Sequence, residues 1–134
     1  MPSDPPCADL PPPSLADLKG KYPALFPHAA PSGGPGWYAL LDELCAALQA
    51  RTAGTSPAPA VFLHAREKWG RLGLRLHPYN AEDAPLLAYV EALSMRVCEV
   101  CAAPGELIAE AWHRTRCTAH RDTRPTWATD HRQP

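Results

Sequence analysis

The sequence predicts an α+β fold, two helices packed on a β-hairpin with a small C-terminal module. Three observations predict it. Apolar residues recur at three- and four-residue spacing through WYALLDELCAALQAR, residues 37–51. They switch to a two-residue period through VFLHAREKWGRLGLRLH, residues 61–77. Four side chains of metal-ligand type then gather in CEVCAAPGELIAEAWHRTRCTAH, residues 98–120.

The elements follow in order. Of the 17 Pro, ten fall by residue 35. Proline cannot donate to a ladder and fixes φ, so residues 1–13 read as a Pro-rich disordered segment. Leu15, Leu18, Tyr22, Leu25 and Phe26 predict a short helical turn followed by an extended anchor. PSGGPG, residues 31–36, is a breaker. The first long helix then places Trp37, Leu40, Leu41, Leu44, Cys45 and Leu48 on one face, and Gly54 with PAP at 57–59 ends it. In the hairpin, Val61, Leu63 and Ala65 are expected on one face of the first strand. Leu72, Leu74 and Leu76 are expected on one face of the second, with KWGR supplying the turn. Asn80 and Asp83 offer N-caps for a second helix over about 84–97, with Leu86, Tyr89, Val90, Leu93 and Val97 inward. A single folded domain is expected over 14–120, followed by a flexible basic tail over 121–134.

The net charge of −1 makes the chain as a whole no magnet for nucleic acid. The distribution is uneven. Residues 61–77 carry four Lys/Arg against one Asp/Glu, net +3, and residues 113–134 carry five against two, also net +3. Residues 78–112 carry one against six, net −5. No apolar run reaches the roughly 18 residues of a membrane span. MPSDPPCADLPPP lacks the basic and apolar regions of a secretory signal. A reducing cytoplasm is therefore expected, where closely spaced cysteines are metal ligands rather than disulfides, and the odd count of five Cys agrees.

Cys98-x2-Cys101 and Cys117-x2-His120 stand 15 residues apart. Each pair sets two donors on one side of a tight turn. Three thiolates and an imidazole form a soft set matched by Zn²⁺, and four strong ligands leave no open position for water or substrate. Pro104-Gly105 turns the chain back, residues 106–116 have room for a short hairpin, and Cys117 to His120 fit the first turn of a helix or a second knuckle. Together these describe a treble-clef-like module over 98–120 with a structural zinc.

LKGKYPALF, GPGWYALLDELC, REKWGRLGLRL and CEVCAAPGELIAEAW with TRCTAH resemble an uncharacterised family of small proteins encoded by tailed phages and prophages. That family shows a KYP-hydrophobic opening, a GW-x-x-LLD-x-LC helix, a KEKFG-x-LRFY segment and a CE-x-CG-x-PG…W…T-x-C-x-x-H end. The resemblance covers about residues 15–120 and implies zinc on Cys98, Cys101, Cys117 and His120, with no activity attached. The chain departs from the pattern at Ala102, where Gly is usual, at Trp69, where Phe is usual, and at Leu76-His77, where aromatics are usual.

No nucleophile or acid–base constellation is visible, so no catalytic residue is assigned and an enzyme is not expected. Cys45 lies on an apolar helix face and reads as a small core residue. His64 and His77 read as surface positions. Arg66, Lys68, Trp69, Arg71 and Arg75 of the basic hairpin form the candidate contact surface, with the acidic helix around Glu82, Asp83 and Glu91 as the other choice. Trp69 either stacks on a partner or folds back on the core. The expected function is a non-enzymatic, zinc-stabilised phage or prophage accessory protein that binds a host protein, with a bacterial defence system as the target class. A small nucleic-acid-binding zinc protein is the alternative.

Overall fold

The structure is a computed structural model that describes residues 13–52 and 60–125. The expectations for residues 1–12, for the helix end at Gly54 and the PAP of 57–59, and for residues 126–134 lie outside the described residues. The fold is α+β. Its centre is an antiparallel hairpin of β1 (Val61–Lys68) and β2 (Arg71–His77). Lys68 pairs with Arg71 across a two-residue turn. Both turn residues have positive φ, 57° at Trp69 and 87° at Gly70, which matches the right-handed twist of the strands.

The register breaks between Phe62 and His64. The expected inward face of β1 is corrected there. Phe62 and Ala65 are buried, whereas Leu63 is 37% exposed and Val61 is half-buried. An extra residue at a bulge swaps the faces of everything on one side of it. On β2 the expectation holds, with Leu72 and Leu76 buried and Leu74 packed against the core.

Both edges of this hairpin are covered. On the β1 side, Phe62 N–H donates to the Leu25 carbonyl at 2.8 Å, and Ser32 exchanges bonds with Ala65 O (3.0 Å) and Glu67 N–H (3.1 Å). The Phe26 and Phe62 rings stack there at 4.9 Å. The chain reaches this edge through α1 (Asp17–Lys21), which buries Leu18 and ends at the buried Tyr22. On the β2 side, side chains of α3 (Ala84–Ser94) replace a strand. Leu72 N–H donates to Ser94 Oγ at 2.9 Å and Leu74 N–H to Glu91 Oε2 at 2.8 Å. Covered edges leave no ladder open for adventitious pairing.

Helix α2 (Tyr38–Thr52) follows a 3-10 turn at Pro35–Trp37 and buries Leu41, Leu44, Cys45 and Leu48. Trp37 is fully buried, and its Nε1 donates to the carbonyls of Ser94 (3.1 Å) and Val97 (3.0 Å), tying the start of α2 to the end of α3. Two expectations for α3 are corrected. It ends at Ser94 rather than near Val97, because Val97 is taken into a bridge with Pro104 and Ser94 into the sheet edge. Tyr89 is 61% exposed, since the inward stripe is set by Val90 and Ser94. Asp83 precedes the helix without a side-chain cap bond, and Asn80 Oδ1 instead accepts from Glu82 N–H at 2.7 Å. A second small hairpin, β3 (Glu106–Ile108) with β4 (Arg114–Arg116), carries the C-terminal module. Among the described residues no helix is long and apolar enough to cross a membrane.

Candidate metal centre

The first cysteine pair sits in a backbone knuckle. Ala102 N–H donates to the Cys98 carbonyl at 2.9 Å, Cys98 N–H to the Ala103 carbonyl at 2.7 Å, and Gly105 N–H to the Arg96 carbonyl at 2.9 Å. Ala102 holds φ at 72°, a left-handed conformation that suits glycine. The chain then runs through β3 and β4 and reaches Cys117 just before a 3-10 turn over Thr118–His120. The two pairs therefore face each other across the end of a hairpin.

The ligand atoms of Cys98, Cys101, Cys117 and His120 all lie within 4.8 Å of one another, so the four can hold a metal ion. Cys101 Sγ is 3.7 Å from Cys117 Sγ, and His120 Nδ1 is 3.4 Å from Cys117 Sγ and 3.9 Å from Cys98 Sγ. Cys98 is buried and Cys101 exposed. Partial burial pushes the Cys117 thiol up, but the His120 N–H and ring and the neighbouring thiols outweigh this and bring it down to about 6. The Ala103 N–H pulls the Cys101 thiol down, while loss of solvent and its bonds to Cys117 and Cys98 leave it above the ordinary value. One ready thiolate beside a second thiol favours capture of a cation, which displaces the remaining protons.

A shell of buried polar residues locks this geometry, and its members were not singled out by the spacing of the ligands. Arg116 Nε lies 2.7 Å from Glu99 Oε2, with side chains 0% and 4% exposed. Glu99 stands between the first two cysteines and Arg116 immediately before the third, so one ion pair joins both knuckles. Burial pushes the Glu99 carboxyl up to about 7 against the opposing pull of Arg116. Arg116 Nη1 also donates to the His120 carbonyl at 2.8 Å and to the Thr123 carbonyl. Arg114 donates to the carbonyls of Arg121 (2.8 Å), Glu110 (3.0 Å) and Trp112 (2.8 Å). The Trp112 ring carries the guanidinium groups of Arg114, Arg116 and Arg124 at 4.5, 5.1 and 5.3 Å. The start of the expected tail, Arg121 to Arg124, is thus used by the module. The one sequence signal for this shell was the CE-x-C and T-x-C context of the ligands.

The module is welded to the rest of the chain at two places. Thr115 Oγ1 donates to the Gly70 carbonyl at 2.6 Å, and Glu99 N–H donates to the Thr115 carbonyl at 3.0 Å, so the tip of the first hairpin is anchored to the knuckle. Gly36 N–H donates to the Glu99 carbonyl at 2.7 Å.

The candidate contact residues fall on one face of the first hairpin. The register pairs Lys68 with Arg71, Arg66 with Gly73 and His64 with Arg75, so these side chains share a side. Arg66, Lys68 and Arg75 are exposed and have no ion-pair partner among the described residues. Arg71 is half-buried and lies 3.5 Å from Glu91. Trp69 is 59% exposed and meets His113 edge-on at 5.6 Å, so it is not a core residue. His64 and His77 are both exposed and do not oppose each other, since His77 pairs with Val61. In the acidic helix, Asp83 is buried 2.7 Å from Arg51, and Glu82 is 2.9 Å from the same guanidinium. Compared with family profiles, curated proteins and solved structures, the chain matches none.

Proposed function

We propose that this chain is a non-enzymatic binding protein, with a structural zinc ion in a treble-clef-like C-terminal module and a protein-contact surface on its first hairpin. Zn–S bonds of about 2.3 Å and Zn–N bonds of about 2.0 Å in a tetrahedron require S–S edges near 3.8 Å and S–N edges near 3.5 Å. The Cys101–Cys117 separation of 3.7 Å and the Cys117–His120 separation of 3.4 Å are close to those edges, while Cys98 to His120 at 3.9 Å is wider and all six separations stay within 4.8 Å, which supports zinc as the ion. Cys98, Cys101, Cys117 and His120 fill all four positions, which supports a structural role. The knuckle, the β3–β4 hairpin and the turn after Cys117 support the treble-clef description.

The observation that carries the functional half is Trp69. A bulky side chain at positive φ in a two-residue turn costs about 1 kcal/mol or more against Asn or Gly, and strain of this kind gathers at working sites. Trp69 is nonetheless exposed, with the exposed Arg66 and Lys68 nearby, neither of which has an ion-pair partner among the described residues, and Trp and Arg are residue types of interface hot spots. Its turn is held by Glu67 Oε2, which accepts from Gly70 N–H at 2.8 Å, and by Thr115, so it is presented rigidly. The reading as a phage or prophage accessory protein, with a host defence protein as partner, rests on the sequence resemblance.

Arg66, Lys68 and Arg75, which have no ion-pair partner among the described residues, favour nucleic acid as the second reading. It is weakened by Arg114 and Arg116, two cations of the basic C-terminal segment that are buried in the module. Purified protein is tested for zinc, for a stoichiometric complex in host lysate, and for DNA binding across a salt series. A complex abolished by Trp69→Ala supports the first reading. A salt-graded DNA shift without such a complex supports the second.

A further inference from the structure

Past the basic ladder, a groove of about 440 Å³ opens between the far end of β2 and the early turns of α3. Pockets of about 300–1,000 Å³ hold compact ligands. Its floor is aliphatic, made by Leu63, Leu74, Leu76 and Leu87. Leu63 is the informative member. The bulge beside Phe62 turns it away from the core and leaves it 37% exposed. Bulges re-aim side chains, and this one aims an aliphatic chain at an open groove. Tyr79, 77% exposed, also lines the groove, so two of the large exposed hydrophobic side chains meet here.

The rim supplies the sign of the partner. Arg75 and His77 line the strand side. Arg75 has no ion-pair partner among the described residues. The acid on the helix side, Glu91, is already engaged, accepting from Leu74 N–H at 2.8 Å and lying 3.5 Å from Arg71. An occupant therefore meets an apolar floor and free positive charge. A nucleobase would find a largely aliphatic lining, with stacking groups only at the rim in Tyr79 and His77 among the described residues.

We infer that the groove takes an acidic–apolar segment of a protein partner, seating one large apolar side chain between Leu63, Leu74 and Leu87 with an adjacent carboxylate on Arg75. This rests on the reading of the hairpin as a protein-contact surface, because Arg75 belongs to both the ladder and the groove.

The test uses the full zinc-loaded chain and nuclear magnetic resonance of its leucine methyl groups. The probes are a short synthetic peptide with Leu and Phe set among glutamates, the same peptide with Ser in place of Leu and Phe, and a short oligothymidylate. The first peptide is expected to shift Leu63, Leu74 and Leu87. Ala88→Glu, an exposed change on the groove wall, and Arg75→Glu should each weaken it at least about tenfold, with zinc content and melting temperature unchanged. Equal binding of the Ser peptide, indifference to Ala88→Glu, or the same shifts from oligothymidylate would overturn the inference. So would a dimer that Ala88→Glu dissociates, or contacts from the chain's own residues 1–12 in the groove. A host complex lost with Trp69→Ala but intact with Ala88→Glu would sink the groove while leaving the hairpin reading in place.

Discussion

Gly36 N–H donates to the Glu99 carbonyl at 2.7 Å, which places the turn before α2 flat against the first metal knuckle. A Cβ built on Gly36 would lie 2.0 Å from the Cys98 carbonyl oxygen and 2.7 Å from the Glu99 carbonyl carbon. Those are backbone atoms of the knuckle itself and cannot swing aside. The C-terminal Cys/His module and the helical core are thus one packed unit.

Gly36→Ala should consequently cost about 3 kcal/mol or more and weaken zinc retention, because relief requires moving Cys98. Thermal melting with and without a chelator measures both. Gly20→Ala is the control, since nothing lies within 4 Å of its Cβ position, and it should leave both unchanged or slightly improved. A Gly36 variant that melts like the parent would show that the knuckle is not held by this contact.

One zinc per chain is expected. Cys101→Ser or Cys117→Ser should lose the metal and loosen the C-terminal third, since each removes one ligand from a closed set. Metal analysis finding no zinc in purified protein, with these thiols freely titratable, would refute the site.

Ala102→Gly should stabilise the protein by about 0.5–1 kcal/mol. Ala102 sits at φ 72°, where a side chain clashes with its own carbonyl and glycine does not. Denaturant midpoints of the zinc-loaded forms provide the comparison, and a loss of stability would mean that the Ala102 methyl makes contacts that outweigh the strain.

Much of this arrangement was legible in the sequence, and the exceptions share a cause. The periodicities placed α2 and the hairpin because Leu41, Leu44, Leu48, Leu72 and Leu76 answer to one repeating environment. Leu63 failed because a bulge breaks the two-residue period without a signature of its own. Tyr89 failed because the apolar face of α3 is narrower than its apolar content. The clustering of Cys98, Cys101, Cys117 and His120, which could hold a metal ion, was legible because their spacing is local. The Glu99–Arg116 pair was not, since two charged residues in sequence look solvated until tertiary packing buries them. The residues of the GGPG turn read as punctuation, whereas Gly34 and Gly36 are also sites of close approach, each with a Cβ position within 2.2 Å of a knuckle carbonyl.

Cys45 should be chemically silent in the folded protein. Burial pushes its thiol up to about 12, so it stays protonated at neutral pH. Alkylation followed by mass spectrometry should leave it unmodified until the chain unfolds. The linkage has a definite sign. The unfolded thiol ionises near 9.0 and the folded one near 12, so its stabilising effect is complete below 9 and is lost as pH rises between these values. Cys45→Ala should flatten that decline relative to the parent. Labelling of Cys45 at native rates would show that the core opens there.

The contact surface gives the final prediction. Trp69 is 59% exposed, and its ring touches His113 edge-on without entering the core. Trp69→Ala should therefore cost far less than the roughly 3–5 kcal/mol of a buried aromatic, and relief of positive φ is no different for Ala. Trp69→Gly removes that strain as well and should be neutral or stabilising. Arg71 is a poor probe, because it faces Glu91 and its reversal would disturb α3. Arg66→Glu and Arg75→Glu change charge at exposed positions without an ion-pair partner among the described residues. If the hairpin is the working surface, these variants and Trp69→Gly keep their zinc and melting temperature but lose the partner. Loss of binding graded with salt would assign the ladder to phosphates, while loss that is insensitive to salt would assign Trp69 to a protein pocket. Full partner binding by all three would remove the hairpin from consideration and leave the exposed Tyr89 side of α3 as the next surface to probe.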